Sequence, residues 1–288
     1  MPPLLYFSIL KFFWFLFLSE KEQTRETMIQ AVTTPEQQAE YRRRISGKPY
    51  FEAVLGTHLA LFGAHPASGW MFYLLPGTAV LELRGGSGAL CGNLPEDADT
   101  HDELQGFLQF LHIDRLRCEH PLPMAYQTAW QPGEPLTLWT LPRGRALSLP
   151  APPPAELTLD TAPSMLPVSR LVFAENEAEA DEFYSTACTA LAHGYGACRA
   201  LLHHGQPVCT VGCYEQSDRE AYMAAGVTAP DWRGRGLAGW LIVTLANELA
   251  AQKGVCFLCL PHLCGFYQRL GFIQTGNIQQ YTTDWNTK

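Results

Sequence analysis

Arg233-Gly234-Arg235-Gly236-Leu237-Ala238 stands between a short apolar run and a long amphipathic segment, and it constrains this chain more than any other stretch. Tyr222 to Thr228 is apolar and flanked by charge, the pattern of a buried strand. Gly226 within it points to a bulge or a close backbone approach. After Pro230 and Asp231, Leu237, Leu241, Leu245 and Leu249 recur every four residues, and Trp240, Ile242 and Ala246 widen the apolar face of a helix. Lys253-Gly254 supplies a basic last turn and a stop. Val255 to Leu260 is continuously apolar, as a strand covered on both faces must be. Strand, crossover helix and strand make one right-handed unit. The Gly-rich turn then lies at the carboxyl end of a strand. Its unpaired N–H groups and the positive end of the helix dipole form a seat for phosphate or pyrophosphate.

Gly234-Arg235-Gly236-Leu237-Ala238-Gly239 is also a literal G-x-G-x-x-G, but the dinucleotide reading fails on context. Such a site needs an acid at the end of the next strand to hold a ribose. Here that strand ends in Cys259-Leu260-Pro261. Too little chain follows Trp240 for the further strand–helix units that fold requires.

Upstream, Ala197 to Leu202 and Pro207 to Tyr214 flank His203-His204-Gly205-Gln206 as an antiparallel hairpin, and Gln216-Ser217-Asp218 turns the chain into the Tyr222 strand. Glu177 to Ala192 is a helix with Phe183, Ala187 and Leu191 on one face. The order is helix, three antiparallel strands, helix, strand, short helix, final strand.

Arg233-x-x-Gly236-x-Ala238 resembles the R/Q-x-x-G-x-G/A signature of the GNAT superfamily of acetyl-CoA-dependent acyltransferases. Gly265-Phe266-Tyr267-Gln268-Arg269-Leu270-Gly271-Phe272 is similar to that family's F-Y-x-x-L-G-F segment, in the family's order and spacing. The resemblance covers roughly residues 170–288. It implies an α+β fold on a mixed sheet, with a GNAT N-acyltransferase domain in the C-terminal half preceded by a smaller α+β domain. It implies acetyl-CoA as co-substrate and no metal. Backbone groups of Val227, Thr228 and Ala229 would hold the pantetheine arm. The turn Arg233, Gly234, Arg235, Gly236, Leu237 and Ala238 would hold the pyrophosphate. Tyr267 would protonate the departing thiolate, since a phenol with a reference pKa near ~10 keeps its proton at neutral pH. The competing reading of Tyr267 is a core aromatic. Glu215, Asp218 and Glu220 lie near the cleft, but none is assigned as general base.

Cys256-x-x-Cys259, followed by His262 and Cys264, has zinc-like spacing. In an extended run, residues three apart point to opposite faces, so these thiols serve as small buried hydrophobes. Cys209 and Cys213 share a face but lack a second pair. Nine cysteines without a disulfide framework favour a cytoplasmic protein. His203-His204 is a solvated loop.

The 288 residues are enough for two domains. Pro142, Pro150, Pro152, Pro153, Pro154, Pro163 and Pro167 cluster in a semi-rigid connector. The expected division is an N-terminal extension at 1–27, an α+β domain at 28–141, the connector at 142–167 and the GNAT domain at 168–288. In the first domain, Trp70 to Leu75, Thr78 to Leu83 and Gly88 to Leu94 read as strands. Asp99 to His112 reads as a helix, and Ile113 to Cys118 as a further strand. This half faintly resembles a second, degenerate GNAT unit, as in tandem members. It lacks the signature before its helix, so no cofactor site is expected there. Pro3 to Leu18 is almost wholly apolar. It fits an extension upstream of a start at Met28, a membrane anchor or a docked element, the first being favoured. The net charge of −8 and the absence of a basic run argue against nucleic acid partners. A small amine or an exposed amino group is the expected acceptor, and the oligomeric state is open. The alternative to an enzyme is a GNAT-fold module that senses acyl-CoA, or scaffolds a complex, without turnover.

Overall fold

The computed structural model describes residues 29–285. The apolar stretch 3–18, the extension 1–27 and Met28 lie outside the described residues. The first series of elements is β1 (Gln30–Ala31), α1 (Pro35–Ile45), α2 (Pro49–Phe62), β2 (Trp70–Leu74), β3 (Val80–Arg84), β4 (Ser87–Cys91), α3 (Ala98–Phe110), β5 (Arg115–Cys118), β6 (Gln131–Pro132) and β7 (Leu136–Leu141). The second is β8 (Thr158–Asp160), α4 (Met165–Val172), α5 (Glu177–Ala192), β9 (Ala197–His203), β10 (Gln206–Gln216), β11 (Glu220–Thr228), α6 (Leu237–Ala250), β12 (Gly254–Cys259), α7 (Cys264–Leu270) and β13 (Ile273–Thr282). Apart from the two-residue β6, the second series repeats the first: strand, two helices, antiparallel meander, helix, parallel strand, last strand.

Local chemistry explains these elements. Thr34 caps α1 in a capping box with Gln37, and Pro35 opens the helix. His204 (φ 49°) and Gly205 (φ 77°) form the two-residue turn between β9 and β10, both left-handed, as a tight hairpin requires. α6 ends at Ala250, so Lys253 is not in its last turn and Gly254 opens β12 instead. The lysine ammonium instead donates to the Ser217 carbonyl, fixing the turn before β11.

All the strands join one mixed sheet in the order β1-β2-β3-β4-β5-β13-β7-β12-β11-β10-β9-β8, with β6 beside β13. The two series exchange their last strands. β7, from the first, pairs with β12 from Val255↔Leu141 to Cys259↔Thr137. β13, from the second, pairs with β5 from Gln279↔Cys118 to Thr282↔Arg115, and its other end pairs with β7. β7 can serve both halves because its faces are both apolar. Trp139 and Leu141 enter the core beneath α6, and Leu138 packs against the core beneath α1 and α2.

The proline-rich connector is strapped down. Leu147 exchanges hydrogen bonds with the Asn247 side chain of α6 (2.8 and 2.9 Å), and Leu157 enters the C-terminal core. It separates the halves along the chain, while strand exchange joins them in space. A tryptic nick at the exposed Arg143 or Arg145 is therefore expected to leave the two fragments in one particle on gel filtration. Residues 168–288 expressed alone, with the β12 edge stripped of β7, are expected to aggregate or lack a cooperative melt. Two separable folded fragments would contradict the exchange.

Candidate active site

β11 and β12 are parallel neighbours only at Glu220↔Gly254, Ala221↔Val255 and Tyr222↔Cys256. Beyond Tyr222 the strands part. The cause is visible opposite β10, whose pairing shifts between Thr210↔Val227 and Gly212↔Ala224, so that β11 carries an extra residue. Ala225 takes the left-handed backbone (φ 55°) at this bulge, not Gly226. The opened strands leave a cleft of about 180 Å³ lined by Val211, Met223 to Gly226, Ile242, Phe257, Leu258 and Tyr267. Its lining side chains are apolar and its rim carries backbone groups of the bulge, so the cleft combines apolar walls with hydrogen-bonding edges.

β11 leads into the Gly-rich turn. Gly234 (φ 75°) and Gly236 (φ 76°) are both left-handed, and Gly236 is the N-cap of α6 with no side-chain cap. The first N–H groups of α6 therefore face outward without an internal acceptor. Arg233 to Gly236 are exposed. Arg233 Nε donates to the Thr228 carbonyl (3.1 Å) and Arg235 Nη2 to the Asp231 carbonyl (3.1 Å), with the Arg235 guanidinium 4.5 Å above the Trp232 ring. Both cations are thus oriented around the helix terminus. Of the three strand residues singled out in the sequence, Ala229 spends its N–H on Val208 and Thr228 spends its carbonyl on Arg233. The bulge residues Ala224 to Gly226, which the sequence reading passed over apart from Gly226, contribute more of the cleft.

Tyr267 projects from α7 into the same cleft, its ring 4.3 Å from Phe257 and 5.0 Å from Phe266. Among the described residues its hydroxyl has no hydrogen-bond partner, yet it is not sealed from solvent. Burial, with a smaller contribution from Cys259, pushes its pKa up to about 12.

The three acids near the cleft separate in space. Glu220 starts β11 at the paired end, its carboxylate against Gly254. Asp218 is exposed in the preceding turn. Glu215 is partly buried on the opposite face of the sheet, where α2 brings His58 to it. His58 Nδ1 lies 3.0 and 3.1 Å from the Glu82 carboxylate oxygens, and Nε2 lies 4.0 Å from Glu215. No motif announces this cluster, because its members come from α2, β3 and β10. Burial works to lower the His58 pKa, but the Glu82 carboxylate overrides it and the net shift is upward; burial raises Glu215. A raised histidine contributes stability that is full below its unfolded value near ~6.5 and fades as pH rises through the higher folded value. His58→Gln is expected to cost about 3 kcal/mol below the unfolded histidine value, where the imidazolium–Glu82 pair is formed, and progressively less as pH rises through the higher folded value. Melting curves of both proteins across that range check it; a difference that is flat or grows with pH would be the contrary result.

Cys256 and Cys259 lie on opposite faces of β12, in different cores. Among the described residues no group of His, Cys, Asp and Glu is arranged to hold a metal, and no helix is long and apolar enough to cross a membrane.

The N-terminal half contrasts at each point. β4 and β5 stay paired from Ser87↔Arg115 to Leu90↔Cys118, with no parting of the strands. The N-terminus of α3 is filled by Asp97, which accepts the Thr100 N–H at 2.8 Å. A carboxylate in that position repels a phosphate.

Residues 194–274 match the acetyltransferase (GNAT) domain family. The fold is shared with a Drosophila protein of known structure (TM-score 0.66, 11% identity, covering 90% of this chain and 99% of that one). It is also shared with a GCN5-related N-acetyltransferase from Kribbella flavida (0.57, 14%, 80% and 96%). A tandem GNAT protein from the clavulanic acid biosynthesis pathway is a further likeness (0.55, 15%, 76% and 84%). No curated protein matches the sequence. The family match thus places an acetyltransferase (GNAT) domain at residues 194–274, and the solved structures share its fold.

Proposed function

We propose that the chain is an acetyl-CoA-dependent N-acetyltransferase that acetylates a primary amine by direct attack. One observation carries the reading: the parted strands β11 and β12 lead straight to an uncapped, arginine-flanked helix N-terminus, with Tyr267 across the cleft. The pyrophosphate would lie on the turn, on the N–H groups of Gly234, Arg235, Gly236, Leu237 and Ala238 and beside Arg233, whose own N–H is spent on the Pro230 carbonyl; a helix terminus favours an anion by ~1 kcal/mol before the arginines add to it. The pantetheine arm would follow Val227, Thr228 and Ala229 down to the bulge. The neutral amine attacks the thioester carbonyl, the C–S bond breaks, and the sulfur takes the Tyr267 proton. The ammonium proton leaves to solvent, since neither Glu220 nor Asp218 faces the parted strands. Nine free thiols fit a reducing, cytoplasmic setting.

The test is calorimetric titration of acetyl-CoA into the full chain, followed by an assay of thiol release with a panel of amines. Binding and release support the enzyme. Binding without release on any amine favours the acyl-CoA-sensing alternative, and no binding to folded protein sinks both.

A further inference from the structure

A cavity of about 620 Å³ lies between α2 and the sheet of the N-terminal half. Its floor is one registered row across four strands, Glu82↔Ala89↔Arg117↔Gln280. Directly paired residues point to the same face, and neighbouring strands stand about 4.8 Å apart. Glu82 and Arg117 are therefore on the order of 10 Å apart, with the small Ala89 between them leaving the space open.

The charges there are unequally matched. Glu82 is held by His58, and Arg84 pairs with Glu182 at 3.0 Å while lying 4.7 Å over the Trp70 ring. Arg117 meets the Tyr50 hydroxyl at 3.4 Å and lies near the Tyr222 phenol; among the described residues no carboxylate pairs with it. In a protein of net charge −8, an arginine without a carboxylate on the floor of a cavity is a seat for an anion. The far wall of the cavity, at Arg84 and His58, is aromatic, with Trp70 stacked on Phe62 (5.2 Å, 4°).

The cavity abuts the cleft. Tyr50, on its wall, meets Tyr222 with ring centroids 5.1 Å apart, and Tyr222 is the last residue of β11 paired to β12 before the strands part.

We propose that this cavity binds a small organic carboxylate on Arg117, and that this molecule is the amine acceptor. The second clause rests on the transfer reading; the first does not.

Three probes isolate the carboxylate: phenylalanine, 3-phenylpropionate and phenethylamine, each titrated by calorimetry into the full chain without acetyl-CoA. The two carboxylates are expected to bind at least about 10-fold more tightly than phenethylamine, and Arg117→Met is expected to remove that preference. Arg117 is exposed to the cavity, so its replacement spares the core. Ala89→Leu, which fills the floor without changing charge, is expected to weaken both carboxylates similarly. Equal binding of all three probes, carboxylate binding untouched by Arg117→Met, or no carboxylate binding at about 10 mM would overturn the site. Arg117-dependent binding without acetyl transfer to phenylalanine or other amino acids would leave the site standing and remove its assignment as the acceptor pocket.

Discussion

Gly236→Glu is expected to weaken acetyl-CoA binding by about 100-fold or more. Two effects act together. The carboxylate would stand at the uncapped N-terminus of α6, where it satisfies the outward N–H groups itself and meets the pyrophosphate with like charge. A β-carbon at φ 76° also strains the backbone by about 1–2 kcal/mol, although open space surrounds the position. Gly236→Asn separates the two, because asparagine tolerates the left-handed region and is neutral. It is expected to keep affinity within several-fold of the parent. Calorimetry with acetyl-CoA on the three proteins reads the result directly. If the glutamate variant bound as well as the parent, the pyrophosphate would have to sit elsewhere.

Tyr267→Phe is expected to lower kcat by about 100- to 1000-fold while leaving the affinity for acetyl-CoA within about twofold, the size expected for loss of a general acid. Burial pushes the phenol up to about 12, so it carries its proton across the working pH range and has it on hand for the departing thiolate. The control is internal. Since the hydroxyl has no partner among the described residues, phenylalanine keeps the packing against Phe257 and Phe266 and changes stability by less than about 1 kcal/mol. Unchanged turnover in the variant would return Tyr267 to a packing role.

The two halves differed in how well they could be read. Hydrophobic period and turn chemistry announced α5, β9 and β11 to within two residues, and the start of α6, whose end falls before the expected Lys253-Gly254 stop. α1 and α2 were passed over, although Thr34-Pro35-Glu36-Gln37 carries a capping signature. The apolar face of α2 runs almost all the way round, so periodicity is weak there: it packs between the N-terminal sheet and β11. β7 hid behind the proline connector for the opposite reason, being apolar on both faces and short.

The cofactor side of the candidate site is local in sequence. A strand, a two-glycine turn and a helix start lie within about twenty residues, so the sequence alone determined that an uncapped helix N-terminus with outward N–H groups would follow the strand there. The cavity is not local. His58, Glu82 and Arg117 lie on α2, β3 and β5, and only the packing of α2 across both halves and the registered row of four strands brings them to one cavity. Strand exchange is likewise invisible to any pattern. An apolar strand needs two neighbours, and its residues cannot specify whether those come from its own half or the other; the tertiary structure made that choice.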